Sequence, residues 1–402
     1  MASRLSGRAL GLAVVLGTVG IGLAGLILVR APAQHEASHT RSDSVAISRV
    51  TAGRNALATG ERPATVAASA REILDRAPLE AGAASLLALS LPDDQRKPLM
   101  NAAAGLSNRD NAADRWLFED GMARGDYVQA MRHADALMRR QSPDERVGVS
   151  RRILPYLGQP AAFDAVIDRL ATAPAWRGSF LAQLIALSED DNETFRLLKA
   201  LRASARPPTR TELALYLRRL VAQRRTPDAH AAWIALAPAE ERAGKALLAD
   251  GGFDGVKTTA PFGWNLDSNT GGYGEITASE GGSGKALRVH HDGRSRQWLV
   301  RQLIVLSPGA YRLSGQVRTP TDLSAGSMAW TVVCEGAREP LVVIPAPATG
   351  GGFTAFSADF TVPAEGCAAQ SLVLQARPAG EGASVEVWYD TLSLQRTTPN
   401  AG

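Results

Sequence analysis

The period of the apolar residues changes once along this chain, at Asp250. Over residues 45–249, leucines and alanines recur at i, i+3, i+4 and i+7, as on one face of a helix. Over residues 250–398, glycine, threonine, serine and valine become more frequent and apolar residues alternate with polar ones. This change predicts an all-α domain followed by an all-β domain.

The predicted helical domain carries a rhythm of helix-ending prolines. The prolines are Pro78, Pro143, Pro174, Pro207 and Pro238, spaced 65, 31, 33 and 31 residues apart. The first interval is about twice the others, and a period in the low thirties is typical of helix–turn–helix repeats. One unit resembles the second half of a tetratricopeptide repeat through Gly125-Asp126-Tyr127, Ala130, Ala134, Leu137 and Pro143. The resemblance implies a tetratricopeptide-like array of helix pairs with a concave face for a protein partner. The alternative is a general all-α domain with coincidental proline spacing.

The second domain has the alternation of an antiparallel sandwich or jelly roll. Nine strands are predicted there: Tyr273–Ser279, Ala286–His290, Trp298–Leu306, Tyr311–Arg318, Met328–Cys334, Leu341–Ile344, Phe353–Phe360, Ser371–Gln375 and Val385–Gln395.

Several segments of this domain resemble carbohydrate-binding-module-type (galactose-binding-like) jelly rolls. They are Gly252-Phe253-Asp254, Pro261–Trp264, Ala286–Val289, Leu306–Ser314 and the closing strand Val385–Leu394. The resemblance implies a structural calcium between Asp254 and Asp390, completed by backbone carbonyls. No other cofactor is expected.

Sugar binding requires an exposed aromatic plane beside polar groups, because the apolar face of a pyranose packs on the ring. The aromatic candidates are Tyr273, Trp298 and Trp388. Arg301, Gln302 and Arg312 are candidates for the sugar hydroxyls. The competing interpretation is that these aromatics belong to the core, as Trp264 and Trp330 are expected to.

The two cysteines, Cys334 and Cys367, both fall in the sandwich. In an oxidising compartment we expect them to form a disulfide. Two buried thiols are the alternative.

The amino-terminal region sets the expected location. Ala9–Val29 is uncharged and long enough to span a bilayer as a helix. Residues 1–30 are therefore predicted to be an N-terminal inner-membrane anchor, and the flanking arginines predict a cytoplasmic N-terminus and a periplasmic remainder. Ala31-Pro32-Ala33 keeps a cleaved signal peptide open as the alternative. Residues 31–44 are predicted to be a linker and residues 399–402 a tail.

The net charge of +4 is too weak to indicate nucleic-acid binding. The layout resembles bacterial membrane-anchored repeat proteins associated with extracellular polysaccharide assembly or export. This resemblance implies a non-enzymatic envelope scaffold whose helices dock a protein and whose jelly roll contacts a glycan. A structural assembly factor is the second hypothesis. An enzyme is the third: a glycosidase, or a zinc protease built on the pattern His35-Glu36-Ala37-Ser38-His39.

Overall fold

The computed structural model describes residues 39–107, 110–188, 190–242, 247–255, 258–279, 284–320, 323–324, 326–378 and 384–397. The chain divides into two compact units between Leu117 and Phe118. The described part of the first unit is helical, and the second unit holds both further helices and the sandwich.

The described helices are α1 (His39–Ala58), α2 (Pro63–Arg76), α3 (Ala81–Leu89), α4 (Asp93–Leu106), α5 (Asn111–Arg124), α6 (Tyr127–Arg140), α7 (Pro143–Ile153), α8 (Pro160–Leu170), α9 (Arg177–Leu187), α10 (Asp191–Arg202), α11 (Arg210–Ala222), α12 (Thr226–Leu236) and α13 (Ala239–Arg242).

The first unit packs α1, α2 and α3 against one another, with α4 against α3. Small residues allow this close approach: a Cβ on Gly53 of α1 would lie 2.6 Å from the Leu86 side chain of α3. A polar contact joins distant segments, since Arg54 donates to Asp110 (2.7 Å) and to the Ser85 hydroxyl (3.0 Å). Helix α1 begins at His39, inside the segment predicted to be a linker.

In the second unit the helices alternate between two layers. Helices α6, α8, α10 and α12 follow one another in one layer, while α7, α9 and α11 form the other. A buried ion pair joins two helices of the second layer: Arg177 of α9 donates to both carboxylate oxygens of Glu212 in α11 (3.0 and 2.9 Å). The layering fits the predicted array of helix pairs, whereas its tetratricopeptide character stays a prediction.

The predicted Gly-Asp turn lies between α5 and α6. Gly125 adopts a left-handed φ of 76°, and the Asp126 side chain accepts from the N–H of Gln129, capping α6. A Cβ on Gly121 would lie 3.0 Å from Cβ of Ala130. The small residues at these positions therefore let the two helices pack closely.

The strands form two antiparallel sheets. They are β1 (Asn265–Leu266), β2 (Ser268–Asn269), β3 (Gly272–Ala278), β4 (Lys285–His291), β5 (Gln297–Ile304), β6 (Gly309–Arg318), β7 (Met328–Cys334), β8 (Pro340–Pro345), β9 (Thr354–Val362), β10 (Gln370–Ala376) and β11 (Val385–Arg396). The five-stranded sheet has the order β1-β5-β10-β7-β8, and the six-stranded sheet has the order β2-β3-β4-β11-β6-β9. All nine predicted strands are confirmed, within two residues at each end.

The inner faces of the two sheets meet in one core. Trp330 of β7 contacts Trp264 and Tyr389, with ring centroids 5.8 and 5.4 Å apart. The predicted disulfide is confirmed: Cys334, at the end of β7, is bonded to Cys367, just before β10, with 5.0 Å between their Cα atoms.

The sandwich is joined to the helices of its own unit by apolar and polar contacts. Phe262 stacks on Trp233 of α12 at 5.3 Å and lies in the helical core. The Glu241 carboxylate of α13 accepts from the backbone N–H (2.7 Å) and the hydroxyl of Thr259. On the sandwich side, the Gln302 amide donates to the Ala249 carbonyl (2.9 Å) and accepts from the Ala249 N–H (2.8 Å). Helices and sandwich therefore share one packed unit.

The predictions of a transmembrane helix and of a single-pass inner-membrane location need correction. Across the described ranges, no helix combines the length and the apolar character needed to cross a bilayer. The segment Ala9–Val29, on which both predictions rested, lies outside the described residues.

Candidate functional site

Trp298 is the exposed aromatic side chain of the described residues. Its side chain is 51% exposed, whereas the other described aromatics are buried or half-buried. Trp298 pairs with Gln375 and Arg301 pairs with Val373, the residues on either side of the buried Leu374. Trp298 and Arg301 are three residues apart on β5, but the register shifts between Leu374 and Gln375, so their partners are only two residues apart on β10. Side chains two apart on a strand share a face, which places Trp298 and Arg301 together on the outer face of the five-stranded sheet, about 10 Å apart along β5.

A cavity of about 550 Å³ opens beside Arg301, between helix α11 and this sheet. Its sandwich wall includes Trp264, Asn265, Arg301 and Glu335. Its helical wall includes Arg218 of α11. A hydrogen bond fixes the orientation of the Trp264 indole, because its Nε1–H donates to the Asp250 carbonyl at 2.9 Å. The cavity therefore combines an aromatic wall with charged groups of both signs.

A second cavity, of about 450 Å³, continues from the first. The two share Val221 and Glu335, and the second adds Arg224 of the α11–α12 turn and the disulfide-bonded Cys367. Together they form a groove with helices on one side and the five-stranded sheet on the other. We call it the arginine groove, after Arg218, Arg224 and Arg301.

The four arginines around the α11–α12 turn form two pairs, of which one binds an aspartate and the other lines the arginine groove. Arg219 and Arg225 both bind Asp191, at 3.2 and 2.6 Å, and so hold the turn against the start of α10. Their sequence neighbours Arg218 and Arg224 are exposed and line the arginine groove. Neither side chain has a hydrogen-bond or ion-pair partner among the described residues.

The other two charged residues of the groove are Arg301 and Glu335, and only Glu335 has a partner within the described ranges. Arg301 is exposed and makes no hydrogen bond or ion pair within the described part of the chain. Glu335 accepts a hydrogen bond from the Ser371 hydroxyl. Among the residues that the structure describes, the arginine groove thus holds three unpaired guanidinium groups beside one carboxylate.

The outer face of the opposite, six-stranded sheet is closed by its own side chains. Trp388 is only 3% exposed, because the guanidinium groups of Arg288 and Arg318 lie over its ring at 5.8 and 5.1 Å. Arg288 binds Glu386 and Glu275. Burial opposes ionisation of Glu386, but hydrogen bonds from Arg288 and Trp388 outweigh it and lower the pKa of this carboxyl. Trp388 therefore offers no open plane to a sugar.

The other predicted sugar-binding residues are engaged within the protein. Tyr273 stacks on His290 at 5.4 Å, on the same sheet as Trp388. Arg312 makes two 2.7 Å hydrogen bonds to Asp359, which hold the pKa of that carboxyl below its usual range. Gln302 is 1% exposed and bound to the Ala249 backbone. The structure thus brings together Trp298 and Arg301 and separates them from the other four.

The two aspartates of the predicted calcium site are close in space. The Leu392 N–H donates to the Gly251 carbonyl at 2.8 Å, which places the middle of β11 against the turn that carries Asp254. Burial, together with the negative charge of Asp254, raises the pKa of Asp390, although the Thr391 N–H opposes the shift. A cation between the two carboxylates would offset this effect on Asp390. The described residues contain no group of three or more His, Cys, Asp or Glu side chains suited to a metal.

Sequence reasoning missed Arg218, Arg224 and Glu335 as members of one site. Arg218-Arg219 and Arg224-Arg225 are visible as doublets, but the partner Asp191 decides which arginine of each pair stays unpaired. Trp264 was expected in the core; it is half-buried and also lines the groove.

No family model and no curated protein matches the sequence. Solved structures similar to this chain include carbohydrate-binding modules and, over 27% of that enzyme's length, the arabinose-bound α-L-arabinofuranosidase MgGH51. One is the CBM22-1 xylan-binding domain of Xyn10C from Paenibacillus barcinonensis, with 14% identity over 38% of this chain and 95% of that domain and a TM-score of 0.29. Another is TmCBM61 in complex with β-1,4-galactotriose, with 13% identity over 38% of this chain and all of that one and a TM-score of 0.27. At such values the likeness identifies no ligand.

Proposed function

We propose that this protein is a non-catalytic glycan-binding protein whose binding surface is the outer face of the five-stranded sheet. The observation that carries the proposal is the exposed ring of Trp298. A large indole left open to water on a flat sheet face costs solvation free energy that burial under a sugar ring recovers.

The neighbours of Trp298 supply the polar groups that a sugar needs. Gln375 lies directly across the strand pair, and Arg301 follows on the same face beside the arginine groove. Amide and guanidinium groups donate to sugar hydroxyls, while the ring provides the apolar contact.

The Trp298→Ala variant tests this surface. We expect it to lower glycan affinity about tenfold, the loss typical of removing an aromatic stacking partner. Binding of the full chain to immobilised polysaccharides would be measured by surface plasmon resonance.

Tyr273→Ala is the matched control, because Tyr273 is a half-buried aromatic of the opposite sheet that stacks on His290. We expect it to leave affinity unchanged. Equal loss in both variants would contradict the assignment of the binding face. Release of new reducing ends from the bound polysaccharide would contradict a non-catalytic role. Absence of any glycan binding would favour the structural assembly factor.

We further propose that Asp254 and Asp390 hold a structural calcium ion together with backbone carbonyl oxygens. Calcium prefers oxygen ligands, and its charge would offset the repulsion between the two carboxylates. Its effect would be to fix the middle of β11 against the turn at Gly251.

Calcium addition to chelator-treated protein is expected to raise the melting temperature by a few degrees, because a bound ligand stabilises only the folded state. Asp254→Asn should abolish the increase while the protein remains folded. Identical melting curves with calcium and with chelator would refute the site.

The protein partner expected on the helical array stays a prediction. Val128 on α6 and Ile234 on α12 are exposed on separate helices, and Val45 and Ile47 are exposed on α1. Single exposed apolar residues of this kind are normal on protein surfaces and do not by themselves define a docking site.

A further inference from the structure

The arginine groove concentrates positive charge in a concave surface. Arg218, Arg224 and Arg301 lack partners among the described residues, and the acidic lining residue of the two cavities is Glu335. Other arginines of this unit, such as Arg177, Arg219 and Arg225, are neutralised by ion pairs. Walls of low dielectric strengthen the field of such a cluster and raise the local concentration of anions.

We propose that the arginine groove binds an anionic glycan, one whose sugars carry carboxylate or sulfate groups, and that the helical domain supplies two of its three cationic contacts. The proposal rests on the glycan-binding function proposed above and names the class of glycan. Trp298 would stack on a sugar ring at the outer end of the surface, and the arginines would bind the charged substituents further along.

The geometry of the α11–α12 turn supports a ligand role for Arg224. Its φ is 62°, in the left-handed region where a side chain is strained and glycine is favoured. In the comparable turn between α5 and α6 this conformation belongs to Gly125, with φ 76°. The Arg224 side chain makes no hydrogen bond or ion pair within the described residues that would offset the strain. Residues held in such conformations cluster at ligand sites.

The groove has the shape and chemistry of an oligosaccharide site. Its two cavities, of about 550 and 450 Å³, share Val221 and Glu335 and are each within the size range of small-molecule pockets. Guanidinium groups bind carboxylates and sulfates through paired, charge-assisted hydrogen bonds. Arg218, Val221 and Arg224 are spaced three residues apart, so they follow one side of α11 and the turn after it.

The test uses the full chain and a panel of polysaccharides in three classes. Polygalacturonate, alginate and hyaluronan carry carboxylates, heparin and chondroitin sulfate carry sulfates, and xylan and β-glucan are neutral. We expect binding to anionic members at least tenfold tighter than to neutral members, with an affinity that falls as salt rises. Comparing the carboxylated with the sulfated polysaccharides identifies which anion the groove prefers. Poly-glutamate is the comparator for an acidic protein segment.

Substitutions then locate the binding. Arg218→Gln and Arg224→Gln are each expected to lower affinity for the preferred polyanion about tenfold, as loss of a charge-assisted contact does. Arg132→Gln is the matched control, because Arg132 is an exposed arginine of α6 that lines neither cavity and has no partner among the described residues. It should leave affinity unchanged. Circular dichroism and melting curves would verify that each variant is folded.

The outcomes separate this proposal from the proposed function. Equal binding of neutral and anionic glycans, lost in Trp298→Ala but unaffected in the arginine variants, would overturn the anionic assignment and leave glycan binding intact. Failure of every glycan to bind would overturn both. Poly-glutamate binding as tight as that of the best polysaccharide would show an acidic protein partner instead.

Discussion

At the scale of single residues, two arginines in succession have opposite roles. Arg225 binds Asp191 and Asp228, and Arg225→Gly would remove both ion pairs. Arg224 makes no such contact and holds a left-handed φ of 62°. The folded state therefore gains from the side chain at position 225 and is strained by the one at position 224.

Arg224→Gly is accordingly expected to stabilise the protein. Glycine adopts a positive φ without the steric penalty of a Cβ, so the free energy of unfolding should rise by about 1 kcal/mol. Urea denaturation measures it. Arg132→Gly, in the interior of α6, is the control and should lower the free energy of unfolding by about 1 kcal/mol. A loss of stability in Arg224→Gly would show that the arginine side chain has a structural role.

The residue scale is also where sequence reasoning about the site was weakest. Trp298 and Trp388 look alike in sequence, each within a strand of alternating residues. Trp388 is buried because Arg288 and Arg318, on neighbouring strands, lie over its ring. Trp298 is exposed because Gln375 does not cover it. Burial on a sheet face depends on cross-strand neighbours, and a single sequence does not give the register that brings them together.

At the scale of elements, the sequence patterns were informative. Met328–Cys334 is a strand with its predicted bounds, and the other eight predicted strands are present. Alternation identifies strands of six or more residues because several side chains then report the same face. The strands β1 and β2 have two residues each and are too short to carry that signal. Helix α1 begins earlier than predicted, since a polar segment without an apolar stripe can still continue a helix.

The disulfide joins two elements and gives a prediction at this scale. It closes a segment 33 residues apart in sequence, which includes β8 and β9. The double variant Cys334→Ser/Cys367→Ser should lose about 3–4 kcal/mol of stability, because the unfolded chain regains the entropy of an open loop. Guanidinium denaturation would measure the loss. Reductant should lower the stability of the parent protein and have no effect on the double variant; a response in both would point to another cause.

At the scale of the whole molecule, the site belongs to no single predicted domain. Arg218 and Arg224 come from the helices, whereas Arg301 and Glu335 come from the sandwich. The change of period at Asp250 separates these two sets in sequence, and the packing of Phe262 into the helical core brings them together. Tertiary packing across a domain boundary leaves no periodic signal, so the groove was beyond sequence reasoning.

The junction between helices and sandwich predicts a pH dependence of stability. His230 of α12 contacts Phe262 at 5.2 Å and Trp233 at 5.5 Å, and burial lowers its pKa from the ordinary value of 6.5. As the pH falls below 6.5, the unfolded chain takes up this proton before the folded protein does. The free energy of unfolding should therefore fall with decreasing pH, until the pH passes below the pKa of the folded state.

Urea denaturation between pH 8 and pH 5 would measure this dependence. His230→Asn should show a shallower loss of stability on acidification, with only a constant difference from the parent protein at pH 8, where both states are neutral at this position. Parallel curves across the whole range would show that His230 is not the group responsible.

The paired hydrogen bonds between Gln302 and the Ala249 backbone have a kinetic consequence for the groove. With the Glu241–Thr259 contacts, they fix the two walls before any ligand arrives. A site whose walls are already in place requires no slow rearrangement after encounter. Association should then follow a single exponential phase, with a rate set by diffusion and by the attraction of the arginines.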